Sequence, residues 1–167
     1  MAVNAYLYVD TVTGPSTSKT GFIDILSFSF GSTNTSTYAT GSSGMEAKAG
    51  RVDFSNLTIM KVLDKTSPVL SQHCWSGDIL SKVYIIYDKP IGTEQADYYR
   101  IYLQDALITS VQESGSNENP TESVSFAFQA VEVAYKPEKD DGTLDGAVAK
   151  GFSLATLKSD YAAPDAF

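Results

Sequence analysis

The hydrophobic alternation of Thr121 to Lys136, TESVSFAFQAVEVAYK, changes phase part-way along, and few folds accommodate that. Val124, Phe126 and Phe128 alternate with Ser123, Ser125 and Ala127, the period-two pattern of a strand with one buried face. Past Gln129 the apolar set becomes Val131, Val133 and Tyr135, interleaved with Glu132 and Ala134. Side chains on a strand point to alternate faces, so a set that changes parity needs an extra residue or a sharp bend. A β-bulge near Gln129 and Ala130 is the expectation. Such kinks let a sheet curl, and the segment predicts a barrel or strongly coiled sheet with this strand spanning its corner.

The rest of the chain supplies the other strands. Ala2 to Val9 sets Val3, Ala5, Leu7 and Val9 against Asn4, Tyr6 and Tyr8. Phe22 to Phe30 reads as one strand, with Phe22, Leu26, Phe28 and Phe30 on one side and Ile23 and Ile25 on the other. Arg51 to Asp64 puts Val52, Phe54, Leu57, Ile59 and Lys61 opposite Met60 and Val62. Lys82–Tyr87 and Tyr98–Val111 are further strands, joined by Asp88 to Gln95, and the second pairs with the closing strand. Its two faces both carry bulk: Tyr99, Ile101, Leu103 and Leu107 on one, Tyr98, Tyr102 and Ile108 on the other. One face fills the core. The other needs a cover, and a neighbouring subunit is the simplest source.

Two stretches break the pattern. Thr66 to Gly77 is the one helix candidate: Ser67 can cap it, Pro68 suits the first helical position, and Gly77 suits a left-handed exit. Val69 with His73, and Leu70 with Cys74, have the spacing of a single buried face. Gly31 to Gly50, GSTNTSTYATGSSGMEAKAG, is polar, small and aperiodic, and predicts a long exposed loop. Either it is a surface excursion, or it is an arm that orders against a partner through anchors such as Tyr38 and Met45. Beyond Pro137, EKDDGTLDG reads as a linker and Ala147 to Leu157 as a last strand or arm.

Composition narrows the function classes. A chain of 167 residues, 43% of them hydrophobic, is one domain with material for a core that hides roughly 70% of its surface. Ten tyrosines and eight phenylalanines against one tryptophan favour strands. A formal charge of −8 argues against nucleic acid and against anionic membranes as partners. Cys74 is the sole cysteine, so no intrachain disulfide forms. No basic and apolar leader is expected at MAVNAYLYVDTVTG, and no apolar run reaches the roughly 20 residues that span a bilayer.

Catalytic and metal-binding sets do not assemble from these residues. His73 and Cys74 are adjacent on the predicted helix, where neighbouring side chains diverge by about 100°, a poor geometry for a shared metal or a nucleophile–base pair. Asp141, Thr143, Asp145 and Gly146 imitate the opening of a calcium loop, but the twelfth position is Phe152 where a bidentate Glu is required. Gly41, Gly44 and Gly50 lack the Lys-Ser/Thr of a phosphate loop. The expectation is no catalytic, cofactor-binding or metal residue, and not an enzyme.

The order of these pieces resembles a known family. FIDILSFSFG, DKTSPVLSQHCWSG, ALITSVQESGS, TESVSFAFQAVEVAYKP and DGAVAKGFSL together are similar to the haemolysin-coregulated proteins (Hcp) of bacterial type VI secretion systems. The resemblance covers nearly the whole chain, and the helix entry DKTSP and the LITSV, TESVSF and VEVAY strands are its most specific parts. It implies a mainly β fold: a bent-sheet β-barrel with one short α-helix and a long exposed loop. It implies one domain over 1–167, with an extended loop at 31–50, a C-terminal arm at 137–167 and no fused toxic domain. It further implies a homohexameric ring, stacking into the inner tube that a contractile sheath and spike propel, with effector proteins carried in the lumen. Such a subunit is made in the bacterial cytoplasm without a signal peptide and released through the secretion system. The loop then contacts neighbouring subunits and rings, and Tyr38, Met45, Glu46 and Arg51 are the expected contact residues. A phage-type tail tube protein is the close structural variant. The competing class is a small extracellular β-barrel, binding or hydrolytic, with tyrosine-rich strands around a pocket.

Overall fold

The computed structural model describes residues 4–38, 47–48, 50–116 and 118–167. Its elements are β1 (Asn4–Val9), β2 (Ile23–Asp24), β3 (Ser27–Ser29), β4 (Ser32–Asn34), β5 (Thr37–Tyr38), β6 (Ala47–Lys48), β7 (Val52–Phe54) and β8 (Leu57–Val62). A single helix among the described residues, α1 (Ser67–Ser76), is followed by β9 (Leu80–Ile91), β10 (Glu94–Ser114), β11 (Thr121–Ala127), β12 (Ala130–Tyr135) and β13 (Val148–Ser153). The main sheet has nine strands in the order β2-β1-β9-β10-β11-β8-β3, with β12 and β13 continuing from the first half of β10. Mainly β with one short helix, the architecture agrees with the sequence; a closed barrel is not seen, because the path ends on β2 and β3 and these do not pair.

The change of phase after Gln129 is real, but its cause is not an inserted residue. Gln104 faces Ala130 and Leu107 faces Ala127, so the two strands keep one register across the break. Both bend together. Asp105 sits at φ 49°, and the core set of β10 passes from Ile101 and Leu103 to Ala106 and Ile108 as that of its partner passes from Val131 to Phe126 and Val124. Ile108 therefore enters the core and Leu107 turns outward, the reverse of the faces read from sequence. The irregularity of register lies instead between Ile108 and Ser110 on β10.

Phe22 to Phe30 is not one strand. Its first part pairs with β1 and its second with β8, and the changeover at Ile25 and Leu26 is held by their N–H groups, donating to Ala5 and Met60 carbonyls. Gly31 to Gly50 is likewise more than a loop. Ser32–Asn34 pairs with Val52–Phe54, and Thr37–Tyr38 with Ala47–Lys48, making a two-stranded arm. The β9–β10 hairpin is tighter than expected, turning through Gly92 at φ 61° with Ile91 opposite Glu94. On α1 the N-cap is Thr66, not Ser67, and Gly77 exits left-handed at φ 69° as its N–H bonds to His73 O. Leu70 is buried and Cys74 packs on the core, whereas Val69 is exposed.

The face of β1, β9, β10 and β12 turned away from the core is covered by the chain itself. Tyr6 and Tyr102, only 2% and 1% exposed, lie on it with Ile86, Arg100, Glu132 and Ala134. Tyr8, Tyr84 and Tyr102 stack across three strands at 4.8 and 5.7 Å. One end is closed by the 10–22 turn, whose Lys19 pairs with Asp97 at 2.6 Å. The other is closed by the C-terminal tail, where Tyr161 OH donates to Gln104 Oε1 at 2.6 Å and Ala163 N–H to Glu132 Oε2 at 2.7 Å. A neighbouring subunit is not needed to shelter this face.

Candidate functional site

Among the described residues, His73, Ser76 and Asp78 lie together at the end of α1. His73 Nδ1 lies 2.9 Å from Asp78 Oδ2, and Ser76 Oγ donates to the same oxygen at 2.6 Å. A serine nucleophile needs the imidazole beside it; here the carboxylate stands between them, so Ser76 has no base. These hydrogen bonds, Ser76 first and then His73, hold the exposed Asp78 carboxyl below the usual range, which is end-of-helix chemistry. Asp141 Oδ1 accepts from Thr143 N–H and Oγ1 at 2.9 and 2.6 Å, a self-closed turn. An open cleft of about 310 Å³ at the root of the arm is lined by Gly31, Ser32, Thr33, Asp53, Phe54 and Ser55, with Asp53 its one ionisable group. Among the described residues, no three His, Cys, Asp or Glu side chains converge on a metal position.

Surfaces are the more informative feature. The arm is rooted by an aromatic cluster in which Phe54 meets Phe128, Phe152 and Phe30 at 5.7, 5.5 and 6.2 Å. Of the four expected contact residues, Tyr38 lies in β5 opposite Ala47, and Arg51 is exposed just before β7, its carbonyl 3.4 Å from the Thr35 nitrogen that donates to it. Met45 and Glu46 lie outside the described residues. Sequence reasoning passed over two exposed apolar groups: Leu26, Met60 and Val62 on the β3–β8 edge, and Trp75 with Ile79 at the end of α1. A signal existed for the first, since Met60 and Val62 have the parity opposite to Leu57, Ile59 and Lys61.

Beneath the β8 edge lies a buried ionic group. Lys61 Nζ, fully enclosed, is 2.5 Å from Glu122 Oε1 and 3.1 Å from Asp64 Oδ1. Ser67 Oγ donates to Glu122 Oε1 at 2.9 Å, which ties the first turn of α1 to β8 and β11. Burial works to raise the Asp64 pKa, but hydrogen bonds from Thr66 and from Lys61 outweigh it and leave the carboxyl below its ordinary value.

Comparison with known proteins places this architecture. The family described as "Type VI secretion system effector, Hcp" matches residues 6–135. The chain belongs to the Hcp family. Protein hcp1 of Pseudomonas aeruginosa is 34% identical over 102 residues, which cover 60% of this chain and 63% of that protein. The solved "Structure of a type six secretion system protein" superposes with a TM-score of 0.85 at 25% identity, over 95% of this chain and all of the other. Hcp1 from Salmonella typhimurium shares the fold, with a TM-score of 0.75 at 24% identity over 95% and 99% of the two chains. The Hcp match runs from β1 to the end of β12 and stops short of β13 and the tail.

Proposed function

We propose that the chain is a structural subunit of the type VI secretion inner tube. Copies join as hexameric rings, the rings stack, and a sheath with its spike expels the tube from a bacterial cell with effector proteins in its lumen. The observation that carries this reading is the Hcp match over residues 6–135, joined to a surface with exposed apolar groups on the β3–β8 side of the sheet and at the helix end, among others. In the same reading the Ile23–Ser29 segment, bonded to β1 at one side and β8 at the other, makes the sheet a bent barrel. The arm, with Tyr38, Met45, Glu46 and Arg51, is the contact between copies and rings. Its role is mechanical rather than catalytic.

Size-exclusion chromatography with light scattering tests the ring. A particle of about six times 18.0 kDa is expected. A particle of one chain mass at every concentration overturns the proposal.

A further inference from the structure

The C-terminal tail is read by the fold in an unusual way. Residues 159–167 form no strand, yet they reach five side chains spread over β9, β10, β12 and Lys136. At the centre is a buried pair, Arg100 and Glu132, 3.0 Å apart. Each spends its remaining capacity on tail backbone: Arg100 Nη2 donates to Asp165 O at 2.9 Å, and Glu132 Oε2 accepts from Ala163 N–H at 2.7 Å. Lys82 pairs with Asp165 at 2.5 Å, and Phe167 lies against Arg100 and Lys136 at 5.0 and 4.3 Å. Gly151 completes the groove, because a Cβ there would stand 2.3 Å from Tyr161 O. This is a built site for an extended peptide that carries an aromatic side chain.

Its occupancy by the chain's own tail is imperfect. The return from β13 passes through Leu157 at φ 55°, a left-handed conformation that a leucine adopts only under strain. Short hinges under strain favour exchange of the segment they lead to, since a neighbour's groove offers the same contacts without the turn.

We infer that the groove over Arg100 and Glu132 is a docking site for the C-terminal tail of a second copy of this chain, so that neighbouring subunits exchange tails. The inference rests on the assembly proposed above and supplies one of its contacts. Cross-linking tests it on the full chain with Cys74→Ser, using surface positions that leave the buried pair intact. One preparation carries Lys82→Cys, the other Asp165→Cys, and they are mixed and treated with a short bismaleimide. A covalent two-chain product well above that of either preparation alone is expected. Leu157→Gly, which frees the hinge of strain, lowers that product; an unchanged yield overturns the role given to the hinge. A mixture that stays single-chain, while Lys82→Cys with Asp165→Cys in one chain closes internally, overturns the exchange. Light scattering on the same mixture separates the two proposals: rings without two-chain product remove only the tail exchange, and single copies remove both.

Discussion

Lys61 shows how a charge can belong to a core. It sits between Leu57, Ile59 and the first turn of α1 with no exposed side-chain surface, neutralised by Glu122 and Asp64. Two desolvated charges lose about as much hydration as their attraction returns, so the pair adds little net stability, whereas an unpaired member is costly. Glu122→Leu leaves Lys61 with Asp64 as its one carboxylate and is expected to lower the free energy of unfolding by no more than about 3–5 kcal/mol, the cost of a fully unpaired buried charge, and Lys61→Met added to it to recover part of that loss. Urea titration of the three proteins checks both. Asp64 adds a pH dependence with a definite sign. Its folded pKa lies below its unfolded one, so the stabilisation it provides is present above the unfolded value near 3.9 and is lost as pH falls through the folded one. Asp64→Asn should flatten the acid limb of the stability curve while leaving its slope near neutrality unchanged. The parity of Lys61 with Leu57 and Ile59, and of Glu122 with Val124 and Phe126, was visible in the sequence; their pairing was not, because nothing local links residues 61 positions apart.

At the level of elements, the paired bend of β10 and β12 organises the sheet. Asp105 at φ 49° is tolerable for aspartate, free for glycine and poor for a β-branched residue. Asp105→Val should cost about 1–2 kcal/mol and Asp105→Gly should be near neutral, measured by thermal unfolding. The alternation that switches parity at Gln129 was enough to locate this corner, since periodicity reports which residues face the core. It could not tell an inserted residue from a joint bend, because that distinction lies in the register with a partner strand. The arm was half visible: Val52 and Phe54 of β7 alternate, whereas β4 to β6 are two or three residues long, too short and too polar to show a hydrophobic period. The docking of the tail was missed because YAAPDAF has no period at all and docks on residues 31 to 83 positions earlier. Tyr161 reports on that docking. Burial first, then the charges of Tyr102 and Glu132, push its pKa up to about 12. A phenol raised in the folded state contributes stability that is complete below about pH 10 and disappears as pH rises through the folded value. Burial also raises Tyr6, Tyr84, Tyr87, Tyr99 and Tyr102, so alkaline titration followed by tyrosine absorbance should show a late-ionising component that Tyr161→Phe reduces without abolishing.

For the whole molecule, the expectation of a neighbour over the tyrosine face dissolves, because the tail and the 10–22 turn already occupy it. The Hcp resemblance, rather than uncovered area, is what carries the expectation of assembly. What remains outside is smaller and sharper: Leu26 and Met60, 61% and 43% exposed, adjoin on the β3–β8 edge, where Leu26 N–H donates to Met60 O. A strand edge with apolar outward side chains is a natural place for a second copy. Each copy brings a formal charge of −8, so association works against repulsion that salt screens over about 8 Å at physiological ionic strength. Assembly should therefore strengthen with added salt, and a charge placed at this edge should oppose it. Leu26→Glu with Met60→Glu is expected to leave the thermal midpoint of the single chain unchanged, since exposed substitutions shift stability by about 0.5 kcal/mol or less. The same protein should elute as single copies where the parent forms rings. Rings that persist would clear this edge of any part in the contact and leave it to the arm, the tail and other exposed apolar residues such as Trp75 and Ile79.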